Sequence, residues 1–370
     1  MMRTLSVVFA FAIAVGCGGS SNTITVNPGD SIQEAVNAAA PGSRIVVMPG
    51  QYVETHGGQA AVLVEKSLQL VAQSDGDNIV ELLPGPGNTE GILVRGTADA
   101  FIENVLVDGF TIDGFSENGI WTYYVRDFEI RNNNVGNSDH VGIYPQLSAD
   151  GLVRDNVAFG GRDSAMWLSG TESIRVIDNV VYGAPIGIQV NLSRDVEVDN
   201  VEAYDNVVGI AFNHPLSSGL DDVTIAPGWQ NESVRLANSS AIDNNLPNPV
   251  SSGLIGNLPT GLGLLMAGAD GSYVEDNTFQ DNNYAGMVLI DWCLATGDTD
   301  PDCLPDGNTM VRNIVTGNGE DPPPHEFEAL ASDVIVLGAG VDNCMADNTF
   351  NTNVGADTIQ QASCPPWDAD

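Results

Sequence analysis

The chain has 370 residues with 49 acidic against 12 basic side chains, a formal net charge of -37. Negative charge spread along the whole length excludes nucleic acid as a partner. With 43% apolar residues, 41 Gly and 19 Pro, the chain is too hydrophobic to be disordered and too rich in turn residues for a helical bundle, so an all-β protein is expected.

Residues 1–16 read as a signal peptide, with Arg3 as the positive start and Leu5 to Val15 as an apolar run too short to span a bilayer. Ala14-Val15-Gly16-Cys17 resembles the end of a bacterial lipoprotein signal. That resemblance implies cleavage before Cys17, lipidation of Cys17, residues 17–23 as a tether, and a place in the cell envelope at the outer membrane or cell surface. Export would leave Cys293, Cys303, Cys344 and Cys364 in an oxidising compartment. Pairing Cys293 with Cys303 and Cys344 with Cys364 closes the shortest loops, though it is one of three arrangements. The spacings fit no zinc site.

Asp30-Ser-Ile-Gln-Glu-Ala-Val-Asn-Ala-Ala predicts an amphipathic helix with Asp30 at its N-cap and Ile32, Ala35, Val36 and Ala39 on the apolar face. A turn at Pro41-Gly42-Ser43 and the apolar segment from Arg44 to Tyr52 follow as a first strand region. From there a small residue followed by alternating apolar positions recurs, as in Gly91-Ile-Leu-Val, Gly119-Ile-Trp-Thr, Gly142-Ile-Tyr-Pro, Ala165-Met-Trp-Leu, Gly187-Ile-Gln-Val and Gly209-Ile-Ala-Phe. The steps from Gly119 to Gly209 are 23, 23, 22 and 22 residues. A second recurring piece lies between them, in Ile130-Arg-Asn-Asn, Val153-Arg-Asp-Asn and Val176-Ile-Asp-Asn. Units of short strands this size cannot bury their apolar face alone and must stack on copies of themselves. A parallel β-helix over residues 24–364 follows, with the helix plugging its first coil, asparagine amides laddering inside the turns, and a tail at 365–370.

The run from Asp30-Ser-Ile-Gln-Glu-Ala-Val to Pro49-Gly50-Gln51-Tyr52 resembles the opening of right-handed parallel β-helix proteins of the pectate-lyase-like superfamily. Trp121-Thr-Tyr-Tyr, Gly142-Ile-Tyr-Pro and Pro259-Thr-Gly-Leu-Gly are similar to a group of exported or lipidated bacterial β-helix proteins of unassigned activity. The resemblance implies the fold. The sequence carries neither the Asp-Pro-His-Asp/Glu signature of mannuronan epimerases nor the Gly-His-Gly of polygalacturonases.

Counting the small residue of each repeat as zero, positions +1 and +3 point inward and +2 and +4 outward, because strand side chains alternate. The outward +2 positions are Trp121, Tyr144, Trp167 and Gln189, with Arg95, Tyr123, Gln146, Ser169, Asn191 and Asn213 beside them at +4. An aromatic stripe flanked by hydrogen-bonding side chains suits a sugar chain, whose C–H faces pack on rings while its hydroxyls meet amides. At -2 stand Glu117, His140 and Asp163, which with Tyr144 could supply the base and acid for elimination or C5 epimerisation of a uronate, Arg126 or Arg162 countering its carboxylate. Paired carboxylates for glycoside hydrolysis are the other chemistry.

Insertions fall at two repeated points, near 213–230 and 287–309 after the first strand and near 245–261 and 317–331 after the second, and loops at one point on successive coils would stack as a wall beside the groove. Within one of them Asp298, Asp300, Asp302 and Asp306 are spaced as in a calcium loop, although Cys303 replaces the turn glycine and Thr309 the closing acid. Calcium is the one cofactor this suggests. A lone lysine, Lys66, with so many acids fits a salt-adapted host. Taken together the sequence predicts an exported monomer that binds or processes a carbohydrate. The competing readings are a non-catalytic scaffold for another cell-envelope protein and a uronate lyase or epimerase.

Overall fold

A computed structural model describes residues 22–213, 232–297, 303–324 and 328–367. The signal segment with Cys17, Asp298, Asp300, Asp302, His214 and His325 therefore lie outside the described residues. Each coil contributes one strand to each of three parallel sheets of 12, 11 and 10 strands. The eleven-stranded sheet, here the site sheet, takes in Glu90–Arg95, Ile120–Tyr123, Val141–Gln146, Ser164–Ser169, Ile186–Asn191, Val208–Asn213, Leu262–Ala267, Ala285–Ile290 and Ser332–Leu337. Register follows the repeat, with Ile120 opposite Ile143 and Trp121 opposite Tyr144. This is the parallel β-helix expected.

Its interior is one continuous apolar column in which the +1 and +3 residues Ile120, Ile143, Met166, Leu168, Ile188, Val190, Ile210 and Phe212 are all buried. The small residue at zero also points in. A Cβ on Gly119 would come 2.3 Å from Val135 Cγ1 and 2.7 Å from the Gly142 carbonyl oxygen, so only a minimal side chain fits where the site sheet bends toward its neighbour.

Asparagine ladders close the turns. Asn133 donates from its backbone N and its Nδ2 to Asn156 Oδ1, both at 3.0 Å, and Asn156 does the same to Asn179, again at 3.0 Å. The residue before each Asn takes the left-handed conformation, with φ of 53° at Asn132, 54° at Asp155 and 56° at Asp178. Short polar side chains tolerate that conformation best, which explains the recurring Asn-Asn and Asp-Asn pairs.

The first coil is plugged by the helix Ile32–Ala38, and here the expected cap is corrected. Ser31, not Asp30, is the N-cap and accepts from Glu34 N. Buried Glu54 completes it, with Oε1 accepting from Ile32 N at 2.7 Å and Oε2 from Ser31 Oγ at 2.6 Å. Asp30 instead accepts from Asn27 N. Gln33, absent from the predicted apolar face, is buried and bonds both Leu63 N and Leu63 O. At the far end Cys344 is bonded to Cys364, and Trp367 packs on Tyr273.

Candidate functional site on the outward face of the site sheet

The +2 side chains form the row the alternation predicts, but its geometry differs from a platform of open ring faces. Trp121 and Tyr144 stack with centroids 6.1 Å apart and planes 14° from parallel, and Tyr144 and Trp167 at 4.9 Å and 13°. Coils repeat at about 4.8 Å, within the centroid spacing of about 4.5–7 Å that offset-stacked rings adopt, so identical positions on successive coils turn their faces on one another. Tyr144 and Trp167 are only 4% and 6% exposed, and Trp121 is half-buried. The row therefore offers solvent its ring edges.

The +4 amides are similarly committed. Gln146 Oε1 accepts from Trp121 Nε1 at 3.1 Å and Asn191 Oδ1 from Trp167 Nε1 at 2.9 Å. Each amide fixes its indole and is itself buried. Tyr123 remains half-exposed, packed between Trp121 and Tyr124. Arg95 pairs with Glu65 at 2.6 Å, but both side chains are about half exposed, so the pair is weakly held.

Strict alternation fails before the small residue. Because position zero turns inward, position -1 joins the outward face, and Glu90, Asn118, Val141 and Ser164 stand there on successive coils. Val141 packs with Tyr144 and Trp167. Glu90, Asn118 and Ser164 are functional candidates that sequence reasoning missed. The only signal was Glu90 itself, an acid directly ahead of an apolar strand.

These residues link the -2 positions into a polar chain along the flank of the aromatic row. Glu90 Oε2 accepts from Asn118 N at 2.9 Å, and His140 Nδ1 lies 3.0 Å from Asn118 Oδ1. His140 Nε2 lies 4.0 Å from Asp163 Oδ2. Ser164 Oγ is 2.9 Å from both Asp163 Oδ1 and Gln189 Oε1. One hydroxyl proton cannot serve two acceptors, so the Gln189 amide must turn its N–H toward Ser164 when Asp163 is ionised. The imidazole stands edge-on to Tyr144 and Trp167, with centroids 5.9 and 5.8 Å away. His140, Asp163, Tyr144 and Trp167 are thus one group. Glu117 is not part of it, since its side chain is exposed and it meets His140 only through the backbone.

Burial sets the titration of this group. It raises the Asp163 carboxyl above its ordinary range, against the Ser164 hydrogen bond and the His140 charge, which lower it. Burial likewise raises Glu90, opposed by Asn118 and reinforced by the Glu117 charge. Tyr144 is raised by burial and by the charge on Asp163, so it stays a neutral phenol able to donate. Of the arginines assigned to counter a uronate, Arg126 lies 3.4 Å from Asp150 and over the Phe101 ring. Arg162 is exposed beside Asp163 and makes no ion pair among the described residues.

Beyond Gln189 the outward row becomes aliphatic, through Ala211, Leu265, Val288 and Ile335. Loops roof this end from both edges of the sheet: residues 245–261, with a short helix Gly253–Gly256, precede the strand at Leu262, and the helix Trp292–Thr296 follows the strand ending at Ile290. The two insertion points thus flank the site sheet, the loops expected after the second strand following the third strand of their coils instead, and a cleft of about 300 Å³ lies between the two sides. Cys293 and Cys303 are bonded at the base of the second helix. Asp306, the described member of the calcium spacing, accepts from Val341 N at 2.7 Å as a turn residue.

Two family models match the chain: a right-handed β-helix region over residues 85–225, and a family described as periplasmic copper-binding protein (NosD) over residues 162–363, more than half the chain. No curated protein sequence matches. Among solved structures, the Azotobacter vinelandii mannuronan C-5 epimerase AlgE6 A-module is similar at TM-score 0.59 and 14% identity, covering 90% of this chain and 94% of that one. The DFA-IIIase of Arthrobacter chlorophenolicus A6 in complex with GF2 is similar at TM-score 0.54 and 14% identity, covering 97% and 91%. At such identity the likeness is one of fold.

Copper takes imidazole and sulfur ligands, and the described residues do not assemble them. His56 is tied to Ala61 O and Gly58 N, each at 3.0 Å, and His140 to Asn118. Met166, Met266, Met287, Met310 and Met345 are buried in the coil interior. The one close grouping of His, Cys or acidic side chains among the described residues, Asp291 with Cys293 and Cys303, spends its sulfurs on each other. Family membership accordingly rests on the extent of the match and on the coil architecture: the chain belongs to the NosD family of right-handed parallel β-helix proteins.

Proposed function

We propose that this protein is exported to the cell envelope, as the lipoprotein-like signal and the family's periplasmic description suggest, and binds a carbohydrate along the outward face of the site sheet from Arg95 to Gln189. The observation that carries the reading is the row Trp121–Tyr144–Trp167, fixed by indole-to-amide hydrogen bonds and flanked by a continuous polar chain from Glu90 to Gln189. Ring edges and one half-open indole give a sugar apolar contact, while the adjacent amide, imidazole and carboxyl groups give its hydroxyls partners. The structural neighbours' names, an epimerase of mannuronan and a DFA-IIIase, agree with a carbohydrate ligand.

A second reading has a specific observation behind it: His140 and Asp163 within 4.0 Å, both against a phenol held neutral. On a uronate, His140 would take the C5 proton, Tyr144 would donate one to the leaving oxygen or the opposite ring face, and Arg162 would neutralise the carboxylate. Proton NMR of a panel of neutral and uronate polysaccharides with the purified protein tests both readings. Line broadening without new signals, reduced about tenfold in affinity by Trp121→Ala, is the result expected for binding. New vinylic or anomeric signals that vanish in His140→Ala would establish turnover. Unchanged spectra across the panel would overturn the carbohydrate reading in favour of a protein-binding scaffold.

A further inference from the structure

The cleft at the end of the aromatic row has a chemistry of its own. Its floor is the outward face of the site sheet at Leu262, Leu265, Val288 and Ile335. Its roof is Ile255 and Leu258 from one loop and Trp292 from the other, and Leu254 and Leu294 stand at the mouth, 46% and 58% exposed. On the preceding coils the same outward face carries a row of aromatic rings fixed by hydrogen-bonding side chains, from Trp121 to Trp167. Aliphatic residues at the same register positions on the later coils, with two leucines open to water at the rim, make a surface that calls for an apolar occupant.

Charge narrows the choice. Asp163 is the one charged group among the described lining residues, at the end nearest Trp167, and no Lys or Arg is among them. A free fatty acid or a phospholipid headgroup would set its anion against Asp163 on a protein of net charge -37 with no cation to meet it. The cleft is also continuous with the polar end of the candidate site, since Trp167, Gln189 and Asp163 belong to both.

We infer that the cleft is a subsite for the alkyl or acyl chain of an uncharged glycolipid-like ligand, its sugar lying on the Trp167–Gln189 end and its chain running over Leu265, Val288 and Ile335. The inference rests on the carbohydrate reading above and deepens it by naming the class of sugar: one carrying a neutral apolar substituent.

Isothermal titration calorimetry with butyl, hexyl and octyl β-D-glucosides below micelle formation tests it, with glucose, 1-octanol and octanoate as controls. Affinity should rise between about two- and fourfold per added methylene until the chain fills the cleft, and octanoate should bind at least about tenfold more weakly than octyl glucoside. Leu265→Asp should flatten the chain-length series. Leu294→Asp, on an exposed rim residue whose substitution leaves the core intact, should weaken octyl glucoside severalfold with an unchanged melting temperature. Affinity independent of chain length, or no binding of any alkyl glucoside, would mean that the chain's own side chains close the cleft, and the inference falls. Octanoate binding as tightly as octyl glucoside would overturn it too. If 1-octanol matched octyl glucoside and Trp121→Ala changed neither, the apolar subsite would stand while the carbohydrate reading failed.

Discussion

Glu90 shows what a single buried acid does at the start of a polar chain. It is 2% exposed, it receives the Asn118 backbone N–H, and its carboxyl is raised chiefly by burial. A carboxyl whose pKa is raised in the folded state binds its proton more readily there than in the unfolded chain. Its ionisation therefore costs stability, and that cost grows as pH rises from the ordinary glutamate value, 4.5, through the raised one. Glu90→Gln keeps an acceptor for Asn118 and removes the charge. Thermal melts should place the variant above the parent by about 1 kcal/mol at neutral pH, and the gap should close as pH falls below that window. A variant less stable than the parent at neutral pH would mean that the carboxylate charge is itself needed. That Glu90 faces outward was hidden in the sequence, because period-two alternation assumes a straight strand and the small residue after it sits at a bend. Trp121, Tyr144 and Trp167 lie beyond the bend, where alternation holds, so their row was legible. That their faces would close on one another follows from coil spacing rather than from residue type.

At the scale of elements, the helix that plugs the first coil was legible from its apolar spacing, but the groups that hold its ends beyond the local N-cap Ser31 were not, since they come from residues distant in sequence. Glu54 holds the N-terminus. The chain's one lysine holds the C-terminus, Lys66 Nζ donating to Val36 O at 3.0 Å and Ala39 O at 2.9 Å. A cation on the last carbonyls of a helix is favourable both as a hydrogen-bond donor and toward the helix dipole. Lys66→Met keeps the aliphatic stem and removes the ammonium. It should cost about 1–2 kcal/mol in urea denaturation and speed amide exchange first in Ile32–Ala38, with the site sheet beyond Glu90 protected as before. Equal stability and exchange would show that water serves those carbonyls as well as the lysine does. The same reasoning explains why the loop walls were only half legible. Their lengths could be read from the stretched repeat, and so could the departure of one loop from the site-sheet strand ending at Ile290, but 245–261 follows the third strand of its coil and not the second, because Asn, Gly and Asp punctuate every turn alike.

For the whole molecule the governing quantity is the charge of -37. Eight described arginines are already spent on the protein's own acids, as in the run Glu197–Arg235–Glu275–Arg312 up the outer face of the twelve-stranded sheet. Stacking then sets the remaining carboxylates in rows at coil spacing. Asp205, Asp243 and Asp281 hold the same left-handed turn position, and the Asp243 carboxyl is raised by burial and then by the charges on Asp281 and Asp205. A raised carboxyl binds its proton more readily in the folded state, so ionised Asp243 costs stability, a cost that sets in as pH rises from the ordinary aspartate value, 3.8, through the raised one. Salt screens repulsion between exposed charges over about 8–10 Å at physiological strength and far more closely at high concentration. Asp243→Asn removes the central charge of this row and should melt above the parent at pH 7.5 in low salt. At the same pH the parent's transition should rise with added NaCl, and the gap to the variant should shrink. A transition insensitive to salt, or a variant that melts below the parent, would mean that bound cations or pairing outside the described residues already neutralise these rows, and the acidic surface would need another explanation than tolerance of a saline exterior.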